Sequence, residues 1–410
     1  MHILVQKYGG SSVKDLKCQR RVLEKVQSAV KKGLKVVVVL SAMSGETNKL
    51  LTLAQEWSAR PDPAEQDSLV ATGEQTSVAL FAMLCKDAGL NARSLLGFQI
   101  PIRTNSNFNR ARILSIDAKK IKAMLKNYDV LVAAGFQGVD DNDQITTLGR
   151  GGSDTSAVAL AAALKADECE IYTDVDGVYT TDPNMCPMAR KIAIIDYDEM
   201  LEMASMGAKV LQIRSVEFAK KYRVKIHVRS TFTDTPGTLV TSKEDPRMES
   251  VLVSGIAYDK DQVRFTLRSV QDRPGVAASI FTPLSDAGIL VDMIIQNTSR
   301  EGVTDMTFTV SRQDRDRTKE ILDKVQHDIG AAEVLFDTRV SKVSVIGVGM
   351  RNHAGVAAKA FTALRNENIN ILMISTSEIK ITCLIEDKYT ELAVRTLHDA
   401  FELDRLGHDG

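Results

Sequence analysis

Three short segments combine small residues with a single basic residue, and each could bind an anion. Their sequences are KYGGSS at residues 7–12, GRGGSDT at residues 149–155 and GAKVL at residues 207–211. Glycine lets backbone N–H groups approach an anion closely, and a helix that starts there adds its positive end. The predicted chemistry is binding of phosphate or carboxylate. It is not that of a Walker A loop, because G-K-[ST] does not occur in the sequence.

The first two segments also have ordinary structural interpretations. Residues 7–12 could be a Gly-Gly turn with a solvent-facing lysine, and this alternative stays open beside phosphate binding. Residues 149–155 could be a flexible loop before a helix that Ser153 or Asp154 caps. An arginine among glycines is well placed for a bidentate grip on a carboxylate or phosphate, so Arg150 favours a functional interpretation.

Two further segments are less specific. Lys209, taken alone, is typical of a solvated lysine, although at a helix start it could neutralise phosphate charge. The loop at residues 173–183 (TDVDGVYTTDP) follows a predicted strand and holds three aspartates and one aromatic residue. Its spacing does not complete an EF-hand. A polar surface loop and a nucleotide-contacting loop with Tyr179 near the base or ribose both fit.

These segments lie where predicted strands meet loops and helices. Apolar runs predict strands, and amphipathic or alanine-rich stretches predict helices. The predicted strands are residues 3–5, 35–40, 129–134 and 170–173, and the predicted helices are residues 13–32 and 157–164. Such alternation is typical of an α/β fold, in which helices cover a mainly parallel sheet.

The last third of the chain is organised differently. Prolines, a glycine and clustered charges between residues 235 and 246 mark a linker, so we place a domain boundary at residue 245. Beyond it, residues 275–294 recur as residues 355–374 with ten identities in twenty positions. Two tandem copies of a small βαββαβ unit explain this repeat. The predicted domains are therefore residues 1–245, 246–340 and 341–410.

The composition excludes several classes of protein. The 410 residues include 52 Lys plus Arg and 53 Asp plus Glu, a balance that predicts no nucleic-acid or membrane partner. The five cysteines are scattered without C-x-x-C, and no histidine spacing fits a metal site. The N-terminus does not resemble a signal peptide, and no apolar run approaches the ~20 residues of a membrane span. We therefore expect a cytoplasmic protein with reduced thiols.

Taken together, the motifs resemble those of one enzyme family. Residues 7–12, 41–43, 73–74, 149–154, 172–179 and 207–211 occur in the order seen in aspartate kinases, and the repeat looks like that family's paired ACT domains. The resemblance covers essentially the whole chain and is to the monofunctional type, because no dehydrogenase domain follows the repeat. It implies the amino-acid kinase fold, a carbamate-kinase-like αβα sandwich, followed by two ferredoxin-like ACT domains.

The resemblance also implies a reaction. The γ-phosphoryl group of ATP is transferred to the side-chain carboxylate of L-aspartate, which gives 4-phospho-L-aspartate and opens the pathway to lysine, threonine and methionine. A free aspartate side chain ionises near pKa ~3.9, so the nucleophile needs no general base. The enzyme must instead hold two anions together in line. The implied cofactor is ATP with Mg²⁺, which would ride on the phosphates and keep part of its water shell.

The family pattern implies roles for individual residues. Lys7 and Lys209 would be catalytic by stabilising charge on the phosphoryl group, and Asp154 would orient Lys7 or its loop. The residues implied for ATP binding are Lys7, Tyr8, Gly9, Gly10, Ser41, Thr173, Asp174, Tyr179, Asp182, Pro183 and Lys209. Those implied for aspartate binding are Ser41, Thr47, Glu74, Arg150, Gly151, Gly152, Ser153 and Asp154. Within that set, Arg150 fits the α-carboxylate and Glu74 fits the ammonium group.

The paired repeat is expected to regulate and assemble the protein. A single unit leaves a sheet edge and a face bare, so pairing would cover both and leave pockets at the interface. Such pockets bind end-product amino acids in the family, which implies lysine and/or threonine as effectors and a homodimer or α₂β₂ assembly. The residues implied for effector binding are Asp272, Gly275, Val276, Ala277, Gln296, Asn297, Asn352, His353 and Asn370. Alternatively the repeat only dimerises the chain, and an internal start at Met248 could give a separate regulatory subunit.

Three positions depart from the family pattern. Tyr8 and Ser12 stand where Phe and Thr are common, and they keep the shape or the hydroxyl group. Asn184 stands where many members have a basic residue, which bears on one phosphate contact.

Two other functions remain as alternatives. One is an amino-acid kinase for glutamate, acetylglutamate or UMP, against which Glu74 and the double repeat argue. The other is a non-catalytic amino-acid sensor, against which the retained basic residues argue.

Overall fold

The computed structural model describes residues 1–100, 102–206, 210–242, 252–296, 302–348, 350 and 355–405. The chain forms two compact units. The first comprises the described parts of Met1–Val178, Lys191–Ser205 and Lys209–Asp245, and the second those of Tyr179–Arg190, Met206–Ala208 and Pro246–Gly410.

The first unit is an α/β unit with two sheets. Its strands are β1 (Ile3–Tyr8), β2 (Lys35–Leu40), β3 (Ala92–Leu95), β4 (Ile102–Thr104), β5 (Ile113–Ile116), β6 (Val130–Ala134), β7 (Gln137–Val139), β8 (Ile145–Thr147), β9 (Glu168–Thr173), β10 (Ile194–Ile195), β11 (Ile226–Ser230) and β12 (Thr238–Val240). The larger sheet has the order β10-β12-β11-β9-β1-β2-β6-β3, and the smaller one β5-β4-β7-β8. The larger sheet is parallel apart from the β11–β12 pair, as the apolar runs predict.

The described part of this unit also contains eight helices, some of which pack on the larger sheet and others on the smaller sheet or on neighbouring helices. They are α1 (Leu16–Lys31), α2 (Glu46–Trp57), α3 (Pro63–Val70), α4 (Thr72–Asp87), α5 (Ala118–Asn127), α6 (Gly152–Leu164), α7 (Tyr197–Ser205) and α8 (Ile213–Tyr222). Val22 and Val26 of α1 and Phe81 of α4 share one core cluster with Val36 and Val38 of β2. α6 packs against β1 and is buried along most of its length, which its alanine content allows.

Two helix starts differ from the sequence-based expectation. The helix expected at residues 13–32 begins at Leu16, because a 3₁₀ turn at Gly10–Ser12 comes first and Asp15 accepts the N–H of Cys18 as its cap. The prediction that Ser153 or Asp154 caps α6 is wrong. Gly151 is the N-cap residue with a φ of 72°, a conformation that favours glycine, so both side chains fall in the first turn.

One helical stretch, Pro63–Asp87, is long and apolar enough to cross a membrane by length and composition alone. Half of its apolar window is buried inside the protein. Val78, Phe81 and Cys85 belong to the core of the first unit, and Glu74 is buried on the same helix. The apolar character of this stretch is therefore accounted for by packing within the fold.

The second unit contains one six-stranded sheet. Its strands are β13 (Leu252–Gln271), β14 (Ile294–Gln296), β15 (Val303–Val310), β16 (Glu333–Val348), β17 (Met373–Thr376) and β18 (Lys380–Glu386), in the order β14-β15-β13-β16-β18-β17. Its helices are α9 (Val276–Asp286), α10 (Arg315–Val325), α11 (Gly355–Asn366) and α12 (Thr390–Ala400). Each repeat has its own core cluster, and a third, smaller cluster in this unit consists of Met293, Val340, Met373 and Leu384.

The two repeats are nested rather than strictly consecutive. The second half of β13 pairs with β15 and with the first half of β16, and these strands complete the first repeat. The first half of β13 pairs with the second half of β16, from Leu252 beside Val348 to Asp259 beside Lys342. Val253 and Ile256 also share the second repeat's core. Residues 252–259 thus supply the fourth strand of the second repeat, whereas the sequence-based boundary gives them to the first.

The segment Tyr179–Arg190 is held within the second unit, although residues 1–245 were predicted to form one domain. Ile256 N–H donates to Thr180 O at 2.7 Å, and the Thr180 hydroxyl lies 2.9 Å from His398 Nε2 of α12. Cys186 packs in the second repeat's core. The segment is therefore held by main-chain, side-chain and apolar contacts that the order of residues along the chain does not indicate.

Candidate active site

The carboxyl ends of four neighbouring strands meet at one edge of the larger sheet. Tyr8 at the end of β1 lies beside Leu40 of β2 and beside Tyr172 of β9, and Leu40 lies beside Ala134 at the end of β6. The chain passes from β1 to β2 on one side, whereas β9 pairs on the other, so the strand order reverses here. Open α/β sheets bind ligands at such a point.

A cavity of about 430 Å³ opens at this edge. It brings together eleven of the residues predicted from the sequence, which are Lys7, Gly10, Ser41, Thr47, Glu74, Arg150, Gly151, Gly152, Ser153, Asp154 and Thr173. They come from β1 and the 3₁₀ turn that follows it, the loop after β2, α2, α4, the loop before α6 and its first turn, and β9. One cavity therefore collects groups that the sequence spreads over 167 positions, from residue 7 to residue 173.

A buried ion pair lies in the wall of this cavity. Lys7 Nζ is 2.6 Å from Asp154 Oδ1, and both side chains are about nine-tenths buried. The lysine is at the carboxyl end of β1, and the aspartate is in the first turn of α6. The pair fixes the ammonium group at the cavity, where it is available to a second anion. This geometry suits the orienting role expected for Asp154.

The glycines of the first motif allow close packing beside the lysine. A Cβ atom on Gly10 would be 2.9 Å from Ala42 O, and one on Gly9 would be 3.4 Å from Lys7 Nζ. The N–H of Gly9 donates to Tyr172 O at 3.4 Å. The turn therefore brings the backbone after β1 against the loop after β2, at the floor of the cavity.

Glu74 is the most strongly perturbed carboxyl group of the cavity. It is 3% exposed, its Oε1 accepts the N–H of Ala42 at 2.9 Å, and its Oε2 is buried without a partner among the described residues. Burial raises the pKa of this carboxyl to about 7. A buried oxygen that lacks a donor is suited to a ligand that brings a cation.

The glycine-rich loop holds its arginine at the cavity mouth. Gly149 and Gly151 have φ values of 78° and 72°, and Arg150 between them is exposed. A Cβ atom on Gly151 would be 2.0 Å from Gln212 Cγ, so this position requires glycine for space as well as for conformation. Ser153 packs so closely beside Gly135 that a Cβ atom there would be 2.9 Å from the serine Oγ.

Some predicted nucleotide residues lie outside the cavity lining. Tyr8 is fully buried, its ring stacks on Tyr172 at 4.6 Å, and burial raises the pKa of its hydroxyl far above the usual value. The phenol therefore faces the core, which leaves only main-chain atoms for a ligand. Asp174 is exposed and accepts the hydroxyl of Thr173 at 2.9 Å.

The remaining nucleotide predictions fall in the second unit or outside the described residues. Tyr179, Asp182 and Pro183 belong to the segment held in the second unit, where the Tyr258 hydroxyl donates to Asp182 Oδ2 at 2.9 Å. Lys209 lies outside the described residues.

The cavity also includes residues that sequence reasoning did not assign. They are Ala42, Met43, Ser44, Gly45, Phe136, Gly149, Ile171, Val210 and Gln212. Phe136 follows β6 and has a φ of 69°, which is rare for a bulky side chain. Its position after a buried parallel strand is a usable sequence signal. Gln212 carries no such signal, because only the fold brings it beside Gly151.

The predicted effector residues are partly described. Gly275 has a φ of 93° and is the N-cap residue of α9, Val276 is buried in the first repeat's core, and Ala277 is half-buried while Asp272 is exposed. Gln296 ends the edge strand β14, and Asn370 is exposed before β17. Asn297, Asn352 and His353 lie outside the described residues.

Comparison with protein families defines the class of protein. The model of the amino acid kinase family matches residues 2–230, and two ACT domain models match residues 265–327 and 343–401. The chain therefore consists of an amino-acid kinase domain followed by two ACT domains.

Comparison with individual proteins identifies the family within this class. The chain is 54% identical to the aspartate kinase of Pseudomonas putida over 410 residues and the full length of both, and 51% identical to the aspartokinase of Helicobacter pylori over 98% of this chain and all of that one. It also superposes on E. coli aspartokinase III in complex with aspartate and ADP, with a TM-score of 0.79, 28% identity and coverage of 97% of this chain and 99% of that chain. The chain belongs to the aspartate kinase family, and it is a phosphotransferase that uses ATP.

Proposed function

We propose that the cavity holds the amino group, α-carboxylate and side chain of L-aspartate beside the γ-phosphoryl group of ATP, and that the product is 4-phospho-L-aspartate. The observation that carries this proposal is the Lys7–Asp154 ion pair in one cavity with Glu74 and Arg150. A cation for the phosphoryl group, a cation for the carboxylate and an anion for the amine all reach the same space. The reaction would open lysine, threonine and methionine biosynthesis in the cytoplasm.

Complementary charge explains how the amino-acid substrate is held. Arg150 binds the α-carboxylate, because a guanidinium group can donate two parallel hydrogen bonds to it. Glu74 binds the ammonium group through its unpartnered oxygen. The hydroxyl groups of Ser41, Thr47 and Ser153 supply further donors along the cavity wall. Both ends of the amino acid are then fixed, which directs the side-chain carboxylate to the phosphoryl group.

Phosphoryl transfer then requires little beyond positioning and charge. A side-chain oxygen of aspartate forms the new bond to the γ-phosphorus while the bond to the bridging oxygen of ADP breaks. The ammonium group of Lys7, held by Asp154, stabilises the charge on the transferring group. Lys209 supplies a second cation, and Thr173 and Asp174 hold the nucleotide together with main-chain atoms of Tyr8, Gly9 and Gly10. The nucleotide contacts expected of Tyr179, Asp182 and Pro183 stay predictions from the sequence.

The donor groups in the cavity fit Mg²⁺ carried on the nucleotide. Its described carboxylates, Glu74 and Asp154, are each already bound to an N–H or ammonium group. Such a site suits an ion that is held by ATP phosphates and keeps part of its water shell. When bound, Mg²⁺ neutralises phosphate charge and polarises the transferring group.

The raised pKa of Glu74 predicts a pH dependence of aspartate use. Below pH 7 the free enzyme holds this carboxyl protonated, so it loses the charge that pairs with the ammonium group. We expect kcat/KM for aspartate to fall about tenfold for each pH unit below 7, since kcat/KM reports the free enzyme. The Glu74→Gln variant should have a low value that does not change with pH. A wild-type profile that is flat between pH 5.5 and 8 would contradict the assignment.

An acceptor comparison tests the proposed function directly. ADP release is measured with aspartate, with glutamate and without an acceptor, at saturating ATP and Mg²⁺. We expect release to depend on aspartate and to accompany formation of an acyl phosphate that hydroxylamine traps. Release that is equal with glutamate, or independent of any acceptor, would refute the proposal.

The paired repeats support a regulatory role. E. coli aspartokinase III, which resembles this chain with a TM-score of 0.78, has a structure in complex with lysine and aspartate in its T state. We therefore propose lysine, threonine or both as inhibitors that bind the ACT repeats of a homodimer or an α₂β₂ assembly. Isothermal titration with each amino acid tests this, and absence of heat with both would refute it.

A further inference from the structure

Two charged residues outside the cavity hold the base of the loop that carries Arg150. Asp67 lies in α3 and is fully buried, and Arg214 lies in the first turn of α8. The proposed function assigns a role to neither of them. They are far apart in the sequence, and each forms hydrogen bonds to main-chain atoms of the same two segments, residues 109–111 and 147–148.

Asp67 accepts three hydrogen bonds from these segments. Its Oδ2 accepts the N–H of Asn109 at 2.9 Å and the N–H of Thr147 at 2.7 Å. Its Oδ1 accepts the hydroxyl of Thr147 at 2.7 Å. A buried carboxylate with this many donors is satisfied without a cation, so its bonds favour one arrangement of the two segments.

Arg214 binds the same segments through their carbonyl groups. Its guanidinium donates to Leu148 O at 2.8 Å and to Ala111 O at 2.7 Å. Ala111 N–H in turn donates to Thr147 O at 2.9 Å. The Asp67 carboxylate therefore accepts hydrogen bonds from residues 109–111 and 147–148, and the Arg214 guanidinium donates hydrogen bonds to the same two segments.

The hydrogen bonds of Asp67 and Arg214 are important because the loop that follows Leu148 is rich in glycine. Gly149 and Gly151 flank Arg150 and have positive φ values, and glycine imposes little conformational preference of its own. The ends of the loop must then determine where the arginine lies. Gln212, two positions before Arg214, fills the space beside Gly151 and restricts the far side of the loop.

We propose that Asp67 and Arg214 are positioning residues for aspartate, which fix Leu148 and Gly149 so that Arg150 reaches the α-carboxylate. The proposal rests on the proposed function of Arg150. Neither residue needs to touch a substrate, because both act through the backbone at the base of the loop. Their loss should therefore weaken aspartate binding more than it slows phosphoryl transfer.

Steady-state kinetics of four variants test this proposal. Arg214→Met removes the donors and keeps the aliphatic stem, Arg214→Lys keeps a cation with a different geometry, and Asp67→Asn keeps the shape. Lys220 lies on the same helix as Arg214, and Lys220→Gln, which breaks its exposed pair with Asp198 of α7, is the matched control. We expect KM for aspartate to rise about tenfold in Arg214→Met and Asp67→Asn, with kcat and KM for ATP within about twofold. Arg214→Lys should be intermediate, and the control should match wild type.

The outcomes separate this proposal from the proposed function. Unchanged KM for aspartate in folded Arg214→Met and Asp67→Asn, together with a raised KM in Arg150→Ala, would overturn the positioning role alone. Unchanged KM in Arg150→Ala would overturn the proposed function. In a third outcome, Arg214→Met and Asp67→Asn lose kcat while KM for aspartate and KM for ATP change together, or neither variant folds as judged by circular dichroism. Asp67 and Arg214 then have a general structural role, and the proposal is wrong.

Discussion

Replacement of Lys7 by alanine is expected to lower kcat by about 10²–10³-fold, with KM for aspartate changed by less than about threefold. The ammonium group lies in the cavity wall and is held by Asp154 at 2.6 Å, so it can act where charge develops during transfer. An interaction made mainly in the transition state affects kcat rather than KM. Initial rates at saturating ATP over a range of aspartate concentrations measure both constants.

Two further variants make this test specific. Lys7→Ala leaves the buried Asp154 carboxylate without its partner, which can destabilise the fold by itself. The double variant Lys7→Ala/Asp154→Asn removes that charge, so its thermal stability should recover while kcat stays low. Lys35→Ala is the matched control, because Lys35 begins β2 at the opposite edge of the sheet and pairs with Asp129. Recovery of kcat in the double variant would contradict the catalytic role.

Replacement of Arg150 by alanine is expected to raise KM for aspartate about 10–100-fold while kcat changes by a few-fold. A hydrogen-bonded charge that meets the α-carboxylate contributes roughly 1.5–3 kcal/mol, and that contribution is made in the ground state as well as in the transition state. No carboxylate of the described residues pairs with the exposed Arg150 guanidinium, whereas Lys7 is paired with Asp154. Arg150→Lys should keep part of the affinity, because it keeps the charge and loses the planar fork.

A substrate analogue serves as the control for Arg150. The α-amide of aspartic acid lacks the negative charge that the guanidinium binds but keeps the side-chain carboxylate. It should be a poor substrate for wild type, and the Arg150→Ala variant should discriminate little between it and aspartate. If the variant still prefers aspartate by the wild-type factor, another residue binds the α-carboxylate.

The central sheet could be predicted from the sequence because its strands are buried on both faces. β2 begins and ends where its apolar run does, at Lys35 and Leu40. The sequence predicts α6 from its alanines and places its cap at Ser153 or Asp154, and the predicted cap is wrong because Gly151 takes that position. The repeat was recognised from its identities, but the pairing of residues 252–259 with the second copy was not, because no local pattern specifies a strand's partner.

The candidate site, like the fold, could be predicted from the sequence only in part. Lys7, Glu74 and Arg150 could be named from residue type and motif order, and all three line one cavity. The Lys7–Asp154 contact joins residues 147 positions apart, so spacing could not reveal it. The inward-facing ring of Tyr8 depends on its stack with Tyr172, which forms only once β1 and β9 pair. The role of Lys209 stays a prediction.

The nested repeats have a consequence for how this regulatory unit can diverge. The chain enters the first copy near Gln262 and leaves it near Val340, and these two residues are neighbours across β13 and β16. The first copy is thus an insertion within the second. An insertion whose two ends lie side by side can be lengthened, trimmed or exchanged while the second copy keeps its own core. Effector preference could therefore change by grafting the first copy from a homologue, whereas removal of residues 252–259 would take away a strand of the second copy and disrupt it.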